Sequence, residues 1–206
     1  MDFVENVGRR SKVENSDNGE FINVGIFSLN GRERKALFRN LGNERFMDVS
    51  YLEGSDLLED GRGLGYLDAD MDGDLDLILN NYLMPARLLI NTPPAENHWI
   101  RLKLRGTRSN RSAIGARVAI QHGTRKQTRE VTTCSGYLSS QSPYLHFGLG
   151  LEEAVDRLVV HWPSGLVEEL LDLPSDAFYE IVEGEGKATP IRKPPRPAAP
   201  TPAVFK

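Results

Sequence analysis

Between Leu67 and Leu77 the chain places five carboxylates in nine residues, Asp68, Asp70, Asp72, Asp74 and Asp76, one at every second position. Carboxylates held this close repel one another unless a hard cation sits among them, and an all-oxygen donor set suits Ca²⁺, which takes about 6–8 oxygens at roughly 2.3–2.6 Å. In this reading Asp68, Asp70 and Asp72 supply side chains, Asp74 supplies its backbone carbonyl, and Asp76 is the closing carboxylate. Gly73 permits the bend that turns these groups inward. The competing reading is a solvated acidic turn, and the regular spacing favours the metal loop over it.

The spacing also limits the kind of loop. An EF-hand needs a glutamate at its twelfth position and a helix on each side, but counting from Asp68 the twelfth residue is Leu79. The flanks Gly63–Leu67 and Leu75–Leu79 are short, apolar and bounded by Gly and Asn, which favours strands. The expected unit is strand, metal loop, strand.

Around this loop the charge is uneven. Residues 51–100 hold ten acids against two bases, and residues 101–150 hold nine bases against one acid. The 206-residue length and 39% apolar content are those of a globular chain with one large or two small domains. The single cysteine, Cys134, excludes an internal disulfide and reads as a packed or half-exposed thiol. No window is apolar enough for a helical membrane span. The first ten residues have no apolar core of a signal peptide, so the expectation is an intracellular protein or a chain without its natural start.

Residues 1–19 read as a flexible lead-in. Strands are expected at Glu20–Phe27, Ala36–Arg39 and Arg45–Val49, antiparallel and short. Leu37-Phe-Arg-Asn40 recurs as Leu88-Leu-Ile-Asn91 with the acidic loop between the copies, a blade-sized period. Propellers close with typically about 4–8 blades, whereas residues 20–95 hold material for one to two. One blade cannot bury both faces of its sheet. It would therefore join a larger propeller, pair with other copies or, the favoured expectation, pack on the C-terminal domain.

Pro93-Pro94 marks the expected boundary, and residues 96–184 form the second domain. His98–Arg105 alternates apolar and basic, a half-buried strand with Ile100, Leu102 and Leu104 inward. Further strands are expected at Gly115–Ile120, Lys126–Val131, Leu145–Phe147, Arg157–Trp162, Leu166–Leu170 and Phe178–Val182, with Pro163-Ser164-Gly165 turning the chain between two of them. This spacing suggests a β-sandwich. Residues 185–206, rich in proline, read as a disordered tail.

Catalytic patterns are weak. Ser135, Ser139, Cys134 and His146 have no nucleophile signature around them, and Ser135–Ser139 reads instead as a loop shaped by Gly136 and pinned by Tyr137. His98, His122, His146 and His161 lack metal-ligand spacing, and His146 and His161 read as packed or half-buried. Gly61-Arg-Gly-Leu-Gly65 precedes a strand, whereas a phosphate loop follows one. The basic run from Arg101 to Arg129 lacks interleaved aromatics for base stacking, so nucleic acid is disfavoured and a solvated face is the simpler reading.

Two resemblances add to this. The loop resembles the D-x-D-x-D-G-x-x-D element of FG-GAP/VCBS repeats, the blades of integrin-α-like β-propellers. Ser109-Asn110 with Ala113-Ile-Gly-Ala116, Ser135-Gly-Tyr-Leu-Ser139, His146-Phe-Gly-Leu-Gly150 and Trp162-Pro-Ser-Gly165 in order resemble the ASPIC/UnbV domain. Together they are similar to the cartilage acidic protein family and its bacterial relatives. The resemblance implies an all-β chain of propeller-type blade strands followed by a sandwich-like ASPIC/UnbV domain. It also implies a calcium-binding, non-catalytic adhesion or interaction module, secreted or on the cell envelope, with a protein or anionic polysaccharide as partner. Arg125, Lys126 and Arg129 are the candidate partner-binding residues. The alternative it implies is an accessory component of a biosynthetic pathway of the enediyne type.

Overall fold

The computed structural model describes residues 34–191 except 43, 93–95, 135 and 138. The expected strand Glu20–Phe27 and most of the C-terminal tail lie outside the described residues. The described chain is all-β, with thirteen strands and no helix among them: β1 (Phe38–Gly42), β2 (Arg45–Asp48), β3 (Gly61–Leu67), β4 (Asp76–Asn81), β5 (Arg87–Leu89), β6 (His98–Arg105), β7 (Arg117–His122), β8 (Arg125–Glu130), β9 (Leu145–Gly150), β10 (Ala154–His161), β11 (Val167–Pro174), β12 (Ala177–Val182) and β13 (Ala188–Pro190). They form four open sheets, ordered β1-β2, β3-β4-β5, β11-β10-β7-β8 and β13-β12-β6-β9.

The chain divides into two compact units, residues 1–62 with 80–85 and residues 63–79 with 86–206. The division passes through β3 and β4. In the described part of the first unit, the β1–β2 hairpin exposes Phe38 and Phe46 (59% and 64%). Its order comes from polar contacts: Ser50 Oγ accepts the Leu37 N–H at 2.7 Å, and Asp48 accepts the Ser50 N–H at 2.9 Å.

The second unit holds the sandwich. Alternation in β6 buries Ile100, Leu102 and Leu104, as the sequence suggested, and alternation in β9 buries Leu145, Phe147 and Leu149. These join Val118 and Ile120 of β7, Val155, Leu158 and Val160 of β10, and Tyr179 and Ile181 of β12 in one core, so the two four-stranded sheets face each other across it. Within the second sheet β6 runs antiparallel to β9 but parallel to β12, with Leu102 opposite Tyr179. β13 pairs with β12 and extends strand structure into residues read as tail. Pro190 is tolerated there because β13 is an edge strand that need not donate outward.

Residues of the stretches that resemble the ASPIC/UnbV domain build turns here. The Trp162 carbonyl accepts the Gly165 N–H at 2.9 Å, closing the β10–β11 turn, and Trp162 Nε1 donates to buried Glu168 at 2.5 Å. Asn110 clamps Ile114 through both of its amide atoms, at 2.8 and 2.9 Å. Glu183, 3% exposed, accepts the backbone N–H groups of Thr107, Arg108 and Ser109 at 2.8, 2.7 and 2.7 Å and the hydroxyls of Ser109 and Ser164. Burial works against its charge, but the donors from Ser164, Ser109 and Thr107 together outweigh that and hold its pKa down to about 2.

Candidate metal centre and the sheet that carries it

The acidic loop lies between β3 and β4, and the structure brings three of its carboxylates together. Side-chain oxygens of Asp68, Asp70 and Asp72 all fall within 4.8 Å of one another. Oxygens on opposite sides of one calcium ion, at roughly 2.3–2.6 Å from it, would be about 5 Å apart. The turn is built by local bonds: Asp70 Oδ1 accepts the Asp72 N–H at 3.3 Å and Asp72 Oδ1 accepts the Asp74 N–H at 3.2 Å. Met71 and Gly73 both adopt positive φ, at 61° and 105°, and this backbone curls the carboxylates to one side.

Asp74 and Asp76 are placed differently from their three neighbours. Asp76 is fully buried, and its oxygens accept the N–H groups of Ala69 and Asn91 at 2.7 and 2.8 Å. The residue read as the closing carboxylate therefore also ties the start of the loop to the segment after β5. Asp74, read as a carbonyl donor, also presents a carboxylate whose two oxygens are buried with no hydrogen-bond donor facing them among the described residues. Its pKa is pushed up to about 7, first by burial and then by the charges of Asp72 and Asp76, with Asp72 as an acceptor at its side. A buried acceptor pair of this kind suits a cation, and the all-oxygen donor set fits calcium chemistry.

The loop sits on the outer face of the β13-β12-β6-β9 sheet. Trp99 and Arg101 of β6, and His146 of β9, point away from the core by strand alternation and meet it there. Arg101 donates to Asp68 at 3.2 Å while its guanidinium lies 5.1 and 5.4 Å from the ring centres of Tyr144 and Phe178. His146 Nε2 donates to the Gly73 carbonyl at 2.7 Å. Burial lowers the His146 pKa, partly offset by that carbonyl, and the charges of Arg129 and Arg101 lower it further. Gly73 is required by contact as well as by φ, because a Cβ there would fall 1.9 Å from the Trp99 indole. On the strand β3 side, Gln141 bonds the backbone of Leu64 and Tyr66 at 3.1 and 2.8 Å.

The other candidates separate. Arg125 and Arg129 fall on one face of β8 and Lys126 on the other, so the three do not form one patch. Arg129 lies over the Phe147 ring at 5.5 Å. Ser139 Oγ donates to the Tyr137 carbonyl at 2.9 Å, and exposed Cys134 contacts the carbonyls of Gly136 and Ser139. Tyr137 is 74% exposed, so it does not pin this loop; side-chain bonds to backbone carbonyls do. His161 is exposed rather than packed, and His122 is the buried histidine. The sequence reading missed Arg101 and Trp99 as loop partners. Their signal was alternation, which puts both on the solvent side of a strand following an acidic loop.

Residues 106–188 match the family model described as ASPIC and UnbV. The chain is similar to cartilage acidic protein 1 of Mus musculus, 35% identical over 161 residues, and of Homo sapiens, 37% identical over 126 residues. The mouse match covers 72% of this chain and 24% of the relative, and the human match 57% and 18%. The chain thus spans a quarter or less of the length of these relatives.

Proposed function

We propose that this chain is a calcium-binding, non-catalytic interaction module that recognises an extracellular or envelope partner, a protein or a polysaccharide. The observation that carries the calcium assignment is the convergence of Asp68, Asp70 and Asp72 beside the two buried, donorless oxygens of half-buried Asp74. These four side chains, with Asp76 and the Asp74 carbonyl, would hold the ion. A bound cation supplies the charge that offsets their repulsion, and its binding free energy then adds to folding free energy. The name of the relatives and the ASPIC and UnbV match support a module of the cartilage acidic protein type. In that setting the blade-like β3-β4-β5 sheet and its loop form part of an FG-GAP-type repeat.

The protein's residues perform the mechanical part. Arg101 and His146 grip the loop at Asp68 and Gly73, so ordering the carboxylates also orders the outer face of the sandwich. Thermal unfolding in Ca²⁺, Mg²⁺ or chelator tests the reading. At about 100-fold over the dissociation constant, linkage predicts roughly 2.7 kcal/mol of added stability. A calcium-selective rise in midpoint that Asp72→Ala abolishes supports the assignment. An unchanged midpoint in all three conditions refutes it.

A further inference from the structure

Beside the acidic loop, the outer face of the sandwich carries a cavity of about 580 Å³ within the second unit, inside the roughly 300–1,000 Å³ range of small-ligand sites. Its floor is the outward face of β9, where Gly148 and Gly150 stand in place of side chains opposite Trp99 and His98 of β6. Outward glycines inside a strand give up packing and β-propensity, and they recur where a ligand approaches backbone closely. Gly148 is exposed, and a Cβ built on it meets nothing within 4 Å, so the space is open rather than filled by a neighbour. Asp72, Gly73 and Asp74 of the loop form another part of the lining, and a cation held by the loop would offset the two carboxylates there.

The lining is one indole flanked by hydrogen-bonding groups. His98 is held by Asp176 at its Nδ1, at 2.7 Å, which leaves its other nitrogen for a ligand, and Asn97 lies next to it. Outside the lining itself, Arg125 Nη1 comes 3.8 Å from the Cβ position of Gly150, one of the lining residues. Arg129 is laid over Phe147 and Arg157 is paired with Glu169, whereas Arg125 has no ion pair among the described residues. A planar guanidinium beside the trench can take a carboxylate that reaches past Gly150.

We propose that this trench binds an acidic saccharide, with a pyranose ring lying on Gly148 beside Trp99 and a uronic-acid carboxylate reaching Arg125. This deepens the interaction-module reading and rests on it for the class of partner. Trp99, stacked on His146, gives the ring an apolar border, and the imidazole and amide serve its hydroxyls.

Isothermal titration of the full chain in millimolar calcium tests this with a uronic-acid hexasaccharide, neutral maltohexaose and polyaspartate. The expected result is binding of the first alone, lost in Gly148→Val and weakened roughly 10- to 100-fold in Arg125→Gln, the scale of one charge-assisted bond. Equal binding by Gly148→Val, equal binding of maltohexaose or polyaspartate, or no binding of the hexasaccharide overturns the proposal. Should Gly148→Val fail to fold, the amide resonances of Gly148 and Gly150 in the wild type decide, since both must shift on titration. The calcium midpoint shift is measured on the same samples. Its absence would refute the metal assignment, while the titration separately decides the trench.

Discussion

Replacing Glu183 asks whether the serines of the ASPIC/UnbV motifs build the fold or perform chemistry. In Glu183→Ala three backbone N–H groups, of Thr107, Arg108 and Ser109, lose their shared acceptor, and two hydroxyls lose theirs. Thr107 and Arg108 are exposed and Ser109 is half-buried, so water takes over part of what is lost, and removing this shared charged acceptor should cost about 3 kcal/mol rather than the full penalty of three buried donors. Against a typical stability of about 5–15 kcal/mol this is a large fraction. Glu183→Gln can keep a carbonyl towards the amides and an NH₂ towards the hydroxyls, so it loses charge assistance only, about 2 kcal/mol. The sign with pH follows from a folded pKa of about 2 against an ordinary 4.5. The contribution is complete above pH 4.5 and is lost as pH falls from there towards 2. Urea unfolding followed by the fluorescence of Trp162, which is 4% exposed, measures it at pH 7 and at pH 3. The wild type should lose stability between the two pH values, and Glu183→Gln should lose less. Identical acid sensitivity in both proteins, or a cost below about 1 kcal/mol for Glu183→Ala, would refute the bracing role.

Gly73→Ala should destabilise by more than about 1 kcal/mol, because positive φ and the Trp99 indole both oppose a side chain there. Combined with Trp99→Ala in a double-mutant cycle, it should show a coupling of about 0.5–3 kcal/mol, and strict additivity would mean the indole does not hold the loop. Arg101→Met removes the cation beside Asp68 and should cost about 1–3 kcal/mol in chelator, less than breaking a fully buried pair because the Arg101 side chain is 18% exposed. Because the carboxylates then lose their nearby positive charge, the midpoint difference between calcium and chelator should widen relative to wild type. A narrower difference would show that Arg101 supports cation binding instead of substituting for part of it.

What was legible in the sequence is what local periodicity encodes. His98–Arg105 was bounded residue for residue because it alternates without interruption, and the same rule gave its inward residues. The parallel pairing of β6 with β12 was not legible, since their partners are more than seventy residues apart and nothing local signals the direction of the neighbour. His161 was read as packed or half-buried, yet alternation with buried Val160 and Trp162 already sends it to the other face. The same oversight grouped Lys126 with Arg125 and Arg129 by proximity in sequence. Glu183 and Glu168 were not singled out in the sequence. For Glu183 the signal was a carboxylate next to Gly184 directly after a buried strand, where loop amides need an acceptor, whereas Glu168, inside β11, accepts the Gly184 and Gly186 N–H groups from sixteen and eighteen residues away, which no local pattern gives.

The position of the acidic loop on the sandwich has the largest functional consequence. A loop standing alone could bind an ion and change nothing beyond itself. Here Gly73 meets Trp99 and His146, and residues 72–74 wall the same trench whose floor is Gly148. An ion that orders the loop would therefore fix one wall of the saccharide site, and a saccharide held there would favour the ordered loop. Linkage makes the two effects equal: the factor by which calcium tightens the sugar is the factor by which the sugar tightens calcium. Measuring both factors on one sample gives an internal check, and the Gly73→Ala and Trp99→Ala exchanges should reduce them together. If calcium affinity proved independent of saturating hexasaccharide, the loop would be a separate stabilising clamp with no part in recognition.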